Sequence, residues 1–148
     1  MSRQPSPKPL KLESEPLWKE ACSLAEYMYG KLAEFPEEEK WQSENKLRTE
    51  ANNLLYFISQ GLGNASPSNR EYEWGLARRS ISALKTIYRF ATRQKFIELE
   101  PEIMVRLDGL LKLIDVEVAK AYADTEAYNK QDMDDWRKKY ELAKKARS

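Results

Sequence analysis

"LARRSISALKTIYRFATRQKF", residues Leu76–Phe96, carries six Lys or Arg and no Asp or Glu, in a 148-residue chain whose 25 basic and 24 acidic side chains nearly cancel. At about 100° per residue, Arg78, Lys85, Arg89 and Arg93 form one stripe about 22 Å long. Leu76, Ala83, Leu84, Ile87, Phe90 and Ala91 fall on the other side. The spacing therefore predicts an amphipathic helix with one apolar face to bury and one cationic face to present.

The rest of the chain reads in the same way. Only five glycines occur, Ala, Leu, Glu and Lys are abundant, and strand-type runs with Asn-Gly or Asp-Gly turns are missing, so an all-α fold is expected. Pro16 suits a first helical turn, and Leu17, Ala21, Leu24, Ala25, Met28 and Leu32 follow with helical spacing, giving a first helix over about 16–34. "EFPEEEK" interrupts it, because a residue before proline is pushed out of the helical region. A second helix is expected over about 37–60, with Leu47, Ala51, Leu54, Leu55 and Ile58 inside. In "QGLGNASPSNRE", Gly61 reads as a left-handed C-cap, and Ser68 with Glu71 as a capping box opening a third helix near 69 that runs to about 94. Pro101 opens a fourth, in which Ile103, Leu107, Leu110, Leu111, Ile114, Val118 and Ala121 keep 3-4 spacing to about 123.

Two ends flank this domain. Residues 1–15, proline-rich and aperiodic, are expected to form a disordered arm. Residues 124–148 are highly charged, with Met133, Trp136, Tyr140 and Ala143 as the periodic apolar set. They read as a fifth helix or a frayed continuation of the fourth, ordered by a partner. The helical domain over 16–123, with short connections, predicts an antiparallel up-down-up-down four-helix bundle.

Charge is distributed unevenly. Residues 61–97 hold seven basic and two acidic groups, whereas 1–60 hold eight and ten, and 98–148 hold ten and twelve. A solvated charged face is the ordinary reading of such a helix. However, Lys85, Arg89 and Arg93 repel one another at i,i+4 spacing, which points to an outside source of negative charge. Nucleic-acid phosphate fits, since Arg forks suit phosphate. An acidic patch of another subunit, such as Glu37–Glu39, fits as well. Arg78, Arg79, Lys85, Arg89, Arg93 and Lys95 are the candidate contacts, with Tyr72 and Trp74 bordering them as candidate stacking or partner contacts. Trp18, Tyr29, Phe57, Tyr88 and Phe90 read as core or subunit interface.

Catalysis is hard to build from these residues. There is no His, no phosphate-cradling glycine loop and a single cysteine, Cys22, beside the first apolar stripe. Cys22 reads as a small interior hydrophobe, and no cofactor or metal site is expected. With no disulfide pair, no signal-like apolar run and no segment of the roughly 20 apolar residues that a span needs, a cytoplasmic protein without membrane contact is expected.

The segments "LWKEACSLAEYMY", "FPEEEKW", "LRTEA", "ISQG" and "EYEWGLARRSISALKT" resemble, in order and approximate spacing over about 17–122, the small four-helix-bundle proteins encoded in intervening sequences of bacterial 23S ribosomal RNA genes. The same fold includes Avd, the accessory variability determinant of diversity-generating retroelements. The pattern falls on Trp18, Ala21, Leu24, Tyr29, Pro36, Glu39, Leu47, Arg48, Ala51, Ile58 and Gly61, then on Tyr72, Leu76, Ala77, Arg78, Ser80, Leu84 and Thr86. Departures move it toward positive charge: Gln60 replaces a usual glutamate, Arg79 a usual glycine, Ala83 a usual glutamate, and Lys85 an often acidic residue. In that respect the chain resembles Avd more than the ribosomal-insert proteins. The resemblance implies a homo-oligomer, a pentamer shaped like an open barrel, whose basic surface binds RNA or DNA and associates with a reverse transcriptase in retroelement-mediated sequence diversification. The ribosomal-insert type implies a structural interaction module instead.

Overall fold

The computed structural model describes residues 11–63 and 66–147. Among these the fold is all-helical, with α1 Pro16–Lys31, α2 Asn45–Gly63, α3 Pro67–Arg93 and α4 Pro101–Arg147. The first ten positions of the expected arm lie outside the described residues, and Leu12–Ser14 forms a single 3-10 turn. No described helix is long and apolar enough to cross a membrane.

Prolines set the starts of α1, α3 and α4, where a fixed φ is pre-organised and the missing N–H costs nothing. For α3 this displaces the expected capping box. Pro67 takes the first helical position, extended Ser66 takes the cap, and Ser68 falls inside the first turn. Between Phe35 and α2 the chain does not enter an α-helix directly. Glu37–Glu39 is a 3-10 turn and Lys40–Glu44 a π turn, with Lys40 bonded to Glu37 at 2.9 Å and Ser43 to Glu39 at 3.0 Å.

The core follows the apolar spacing of the sequence closely in three helices. Ala21, Leu24, Ala25 and Met28 of α1 are buried, with Leu47, Ala51, Leu54 and Ile58 of α2 and Ile103, Leu107, Leu110 and Ile114 of α4. Leu17, Leu55, Leu111 and Val118, expected in the same stripes, pack at their edges. Gly61 is not a left-handed cap. It lies inside α2, no described glycine has positive φ, and the indole of Trp74 lies flat where a side chain would go.

Polar contacts fix the register of the helices. Arg70 meets Asp124, Arg78 meets Asp115 and Lys85 meets Asp108, so the α3–α4 pairs run in reverse chain order. Arg106 of α4 bonds Glu20 and Ser23 of α1, both at 2.9 Å. At the end of α1, Lys31 donates to Glu100 at 2.6 Å and to Glu34 at 3.0 Å, above the Tyr27 ring. The fully buried Tyr88 hydroxyl accepts the Glu100 N–H at 2.8 Å, which ties α3 to the segment before α4.

Candidate nucleic-acid interface

On α3 the sequence placed the core opposite the Arg78 stripe, and the structure corrects this. The buried residues are Trp74, Ala77, Ser80, Ile81, Leu84, Tyr88 and Ala91. Their centre lies about a third of a turn from that stripe, about a quarter turn from where the sequence placed it. Phe90, expected on the buried face, is 56 % exposed, and Leu76, Ala83 and Ile87 are half-buried. The reason is that α3 packs on α2 and α4 together. The two neighbours select one 3-4 line and leave the remaining apolar residues at its margins.

The rotation divides the candidate cations into two groups. Arg78 and Lys85 lie along the α4 seam and are neutralised within the chain, Arg78 by Asp115 at 3.2 Å and Lys85, whose side chain is only 20 % exposed, by Asp108. The Lys85 hydrogen bond, with the positive fields of Arg89 and Lys112, holds the Asp108 carboxyl below its ordinary value. Arg79, Arg93 and Lys95 are exposed, and among the described residues no acid forms an ion pair with them or with Arg89. The missing acids of Leu76–Phe96 are thus partly supplied by α4.

The outward face of α3 has its own order. Tyr72, Arg79, Thr86 and Arg93 recur every seven residues and are all exposed, forming a line about 32 Å long at 1.5 Å per residue. Phe90 lies beside Arg93 on this line. Tyr72, 66 % exposed, borders a shallow depression with Ser68, Gly75 and Arg79. Trp74 does not belong to this surface. At 2 % exposure against Gly61 it is core, because position 74 begins the buried heptad line and 72 the exposed one.

The cationic line ends in a lysine held in a left-handed conformation. Lys95 has φ 61°, its N–H reaches the Thr92 carbonyl at 3.0 Å, and the Phe96 N–H reaches Ala91 at 2.9 Å. This is the double bond pattern of a Schellman helix end, where glycine is usual.

Trp41, 88 % exposed, was not singled out by sequence reasoning. It projects from the π turn into a hollow with Lys40, Glu44 and Arg48. Its neighbours at three and four residues are Glu37, Glu38, Glu44 and Asn45, a local signal that no core stripe passes through it. Cys22 is half-buried, and burial with the nearby Glu26 and Glu13 charges pushes its thiol up, away from the reactive thiolate. Among the described residues no cluster of His, Cys, Asp or Glu is arranged to hold a metal ion. The chain matches no known family model and no curated protein at significant similarity.

Proposed function

We propose that this protein is a non-enzymatic accessory factor that binds single-stranded RNA or DNA along the outward face of α3, alone or within a reverse transcriptase ribonucleoprotein. The observation that carries this reading is the line of Tyr72, Arg79, Phe90 and Arg93, in which exposed rings alternate with guanidinium groups that no acid pairs with among the described residues. Phosphates are held by Arg while bases stack on rings, a combination that tolerates sequence variation. Lys95 and Arg89 extend the cationic end. Arg78 and Lys85 serve the fold, and Trp74 serves the core.

The bundle reading supports this surface. The reverse order of the α3–α4 and α1–α4 contacts is what an antiparallel up-down-up-down bundle requires, leaving one face of α3 outward. An Avd-like role in retroelement diversification, and assembly as a pentamer, rest on the resemblance of residues 17–122. The other reading is a structural homo-oligomeric module of the ribosomal-insert type. It is favoured by one observation: Val105, Leu113 and Val116 are half or more exposed on the α4 face away from the core.

Fluorescence anisotropy with a single-stranded oligonucleotide separates the two. The combination Arg79→Glu and Arg93→Glu is expected to abolish binding while leaving oligomer mass unchanged, and wild-type affinity should fall steeply with salt. Wild-type protein that binds neither RNA nor DNA at low salt would overturn the nucleic-acid reading.

A further inference from the structure

α4 does not stop where its core contacts stop. Ala121 is its last buried residue, yet the helix continues to Arg147. From Glu126 onward every described side chain is exposed except the half-buried Asp134. This extension is not uniformly polar. Met133, Trp136, Tyr140 and Ala143 keep 3-4-3 spacing, and the first three are 53 %, 60 % and 53 % exposed. The Trp136 and Tyr140 rings stack 5.5 Å apart at 12°, forming one flat apolar slab. Spacing of this kind is the seam of a two-helix coiled coil, and a single helix leaves it in water.

The charges identify the second helix. Asp124–Asp135 holds five acids against Lys130, and Trp136–Arg147 holds six Lys or Arg against Glu141. The helix dipole accounts for cations only in the final turn, so it does not explain Arg137, Lys138 and Lys139. Local pairing does not explain them either, because among the described residues none of these three forms an ion pair with Asp132, Asp134 or Asp135. The acidic half also argues against a nucleic-acid strand along the whole extension. Two copies laid parallel would set acid on acid and base on base. Laid antiparallel, each acidic half covers the other copy's basic half.

We propose that residues 124–147 pair antiparallel with the same segment of a second copy across a two-fold axis. With Met133 of each chain packed on the Trp136 of the other, Asp132 comes to flank the other copy's Lys139 twice, once on each side of the axis. The contact is isologous, each patch its own complement. It covers about 36 Å of helix at 1.5 Å per residue. It uses no residue of α3 and does not rest on the nucleic-acid reading.

Sedimentation of the full-length protein over a concentration range tests this pairing. Trp136→Glu with Tyr140→Glu is expected to weaken association by about tenfold or more, as loss of central aromatic anchors does. Far-ultraviolet circular dichroism should remain helical, since both residues are exposed. Asp132→Lys and Lys139→Asp should each weaken association alone, whereas an equimolar mixture of these two variants should associate again, because the mixed pair restores both contacts. The proposal is overturned if the aromatic variant sediments as wild type does, or if the mixture fails to associate. It is also overturned if Lys139→Asp tightens association, which is the parallel outcome, or if the extension binds an oligonucleotide without self-association.

Discussion

The Trp74 indole lies so close over Gly61 that a Cβ added there would fall 2.6 Å from Trp74 Cε2. A glycine inside a helix ordinarily costs about 1 kcal/mol relative to alanine, so Gly61→Ala on an exposed helix would stabilise. Here the methyl group must displace a fully buried indole. Gly61→Ala is therefore expected to lower stability by about 1–3 kcal/mol in urea unfolding, the usual cost of overpacking.

Lys95 has the opposite balance. Its left-handed φ of 61° costs a lysine energy that a glycine does not spend. Lys95→Gly should raise stability by about 1 kcal/mol while weakening oligonucleotide binding. Denaturant midpoint and anisotropy measured on the same variant would then move in opposite senses.

The two groups of α3 cations should respond differently to charge reversal. Lys85→Glu sets a carboxylate against Asp108 at the half-buried seam and should cost roughly 1 kcal/mol of stability. Arg79→Glu, with no acid paired to it among the described residues, should change stability by less than about 0.5 kcal/mol and act on binding instead. Chemical denaturation of both variants, with binding measured in parallel, checks the division.

Stability should decline in acid and hold near neutrality. The Lys31 hydrogen bond holds the Glu100 carboxyl below its ordinary 4.5, and the Lys85 hydrogen bond holds Asp108 below 3.8. A carboxyl depressed by folding contributes stability that is present above its ordinary pKa and lost as pH falls through the folded value. Lys31 is raised above 10.5 by Glu100, so its contribution is full below that value and is lost only in stronger alkali. Urea midpoints taken across pH should be level from about 5 to 10 and fall below about 4. Glu100→Gln should flatten the acid limb.

The helices and most of their inward faces were legible because 3-4 apolar spacing and helix-starting prolines are local signals. Leu24, Leu54, Leu107 and Ile114 needed no tertiary information. The rotation of α3 did. Phe90 and Leu76 count as apolar in any one-dimensional tally, and only packing on two neighbours at once selects Trp74, Ala77, Ile81, Leu84 and Tyr88. The acids that answer Arg78 and Lys85 come from Asp115 and Asp108, 37 and 23 positions along the chain. Gly61 was read as punctuation because nothing nearby in sequence signals the ring of Trp74. Tyr72 and Arg79 were legible as exposed contacts, but the seven-residue line joining them to Arg93 emerged only once the buried face was located.

α4 is a single rod of 47 residues, about 70 Å at 1.5 Å per residue. One end carries Asp108 and Asp115, which pair with Lys85 and Arg78 of α3, and the other carries the Trp136–Tyr140 slab. The far end is therefore a lever arm without a hinge. A load applied there reaches the α3 seam as torque along an unbroken backbone, without passing through a flexible joint.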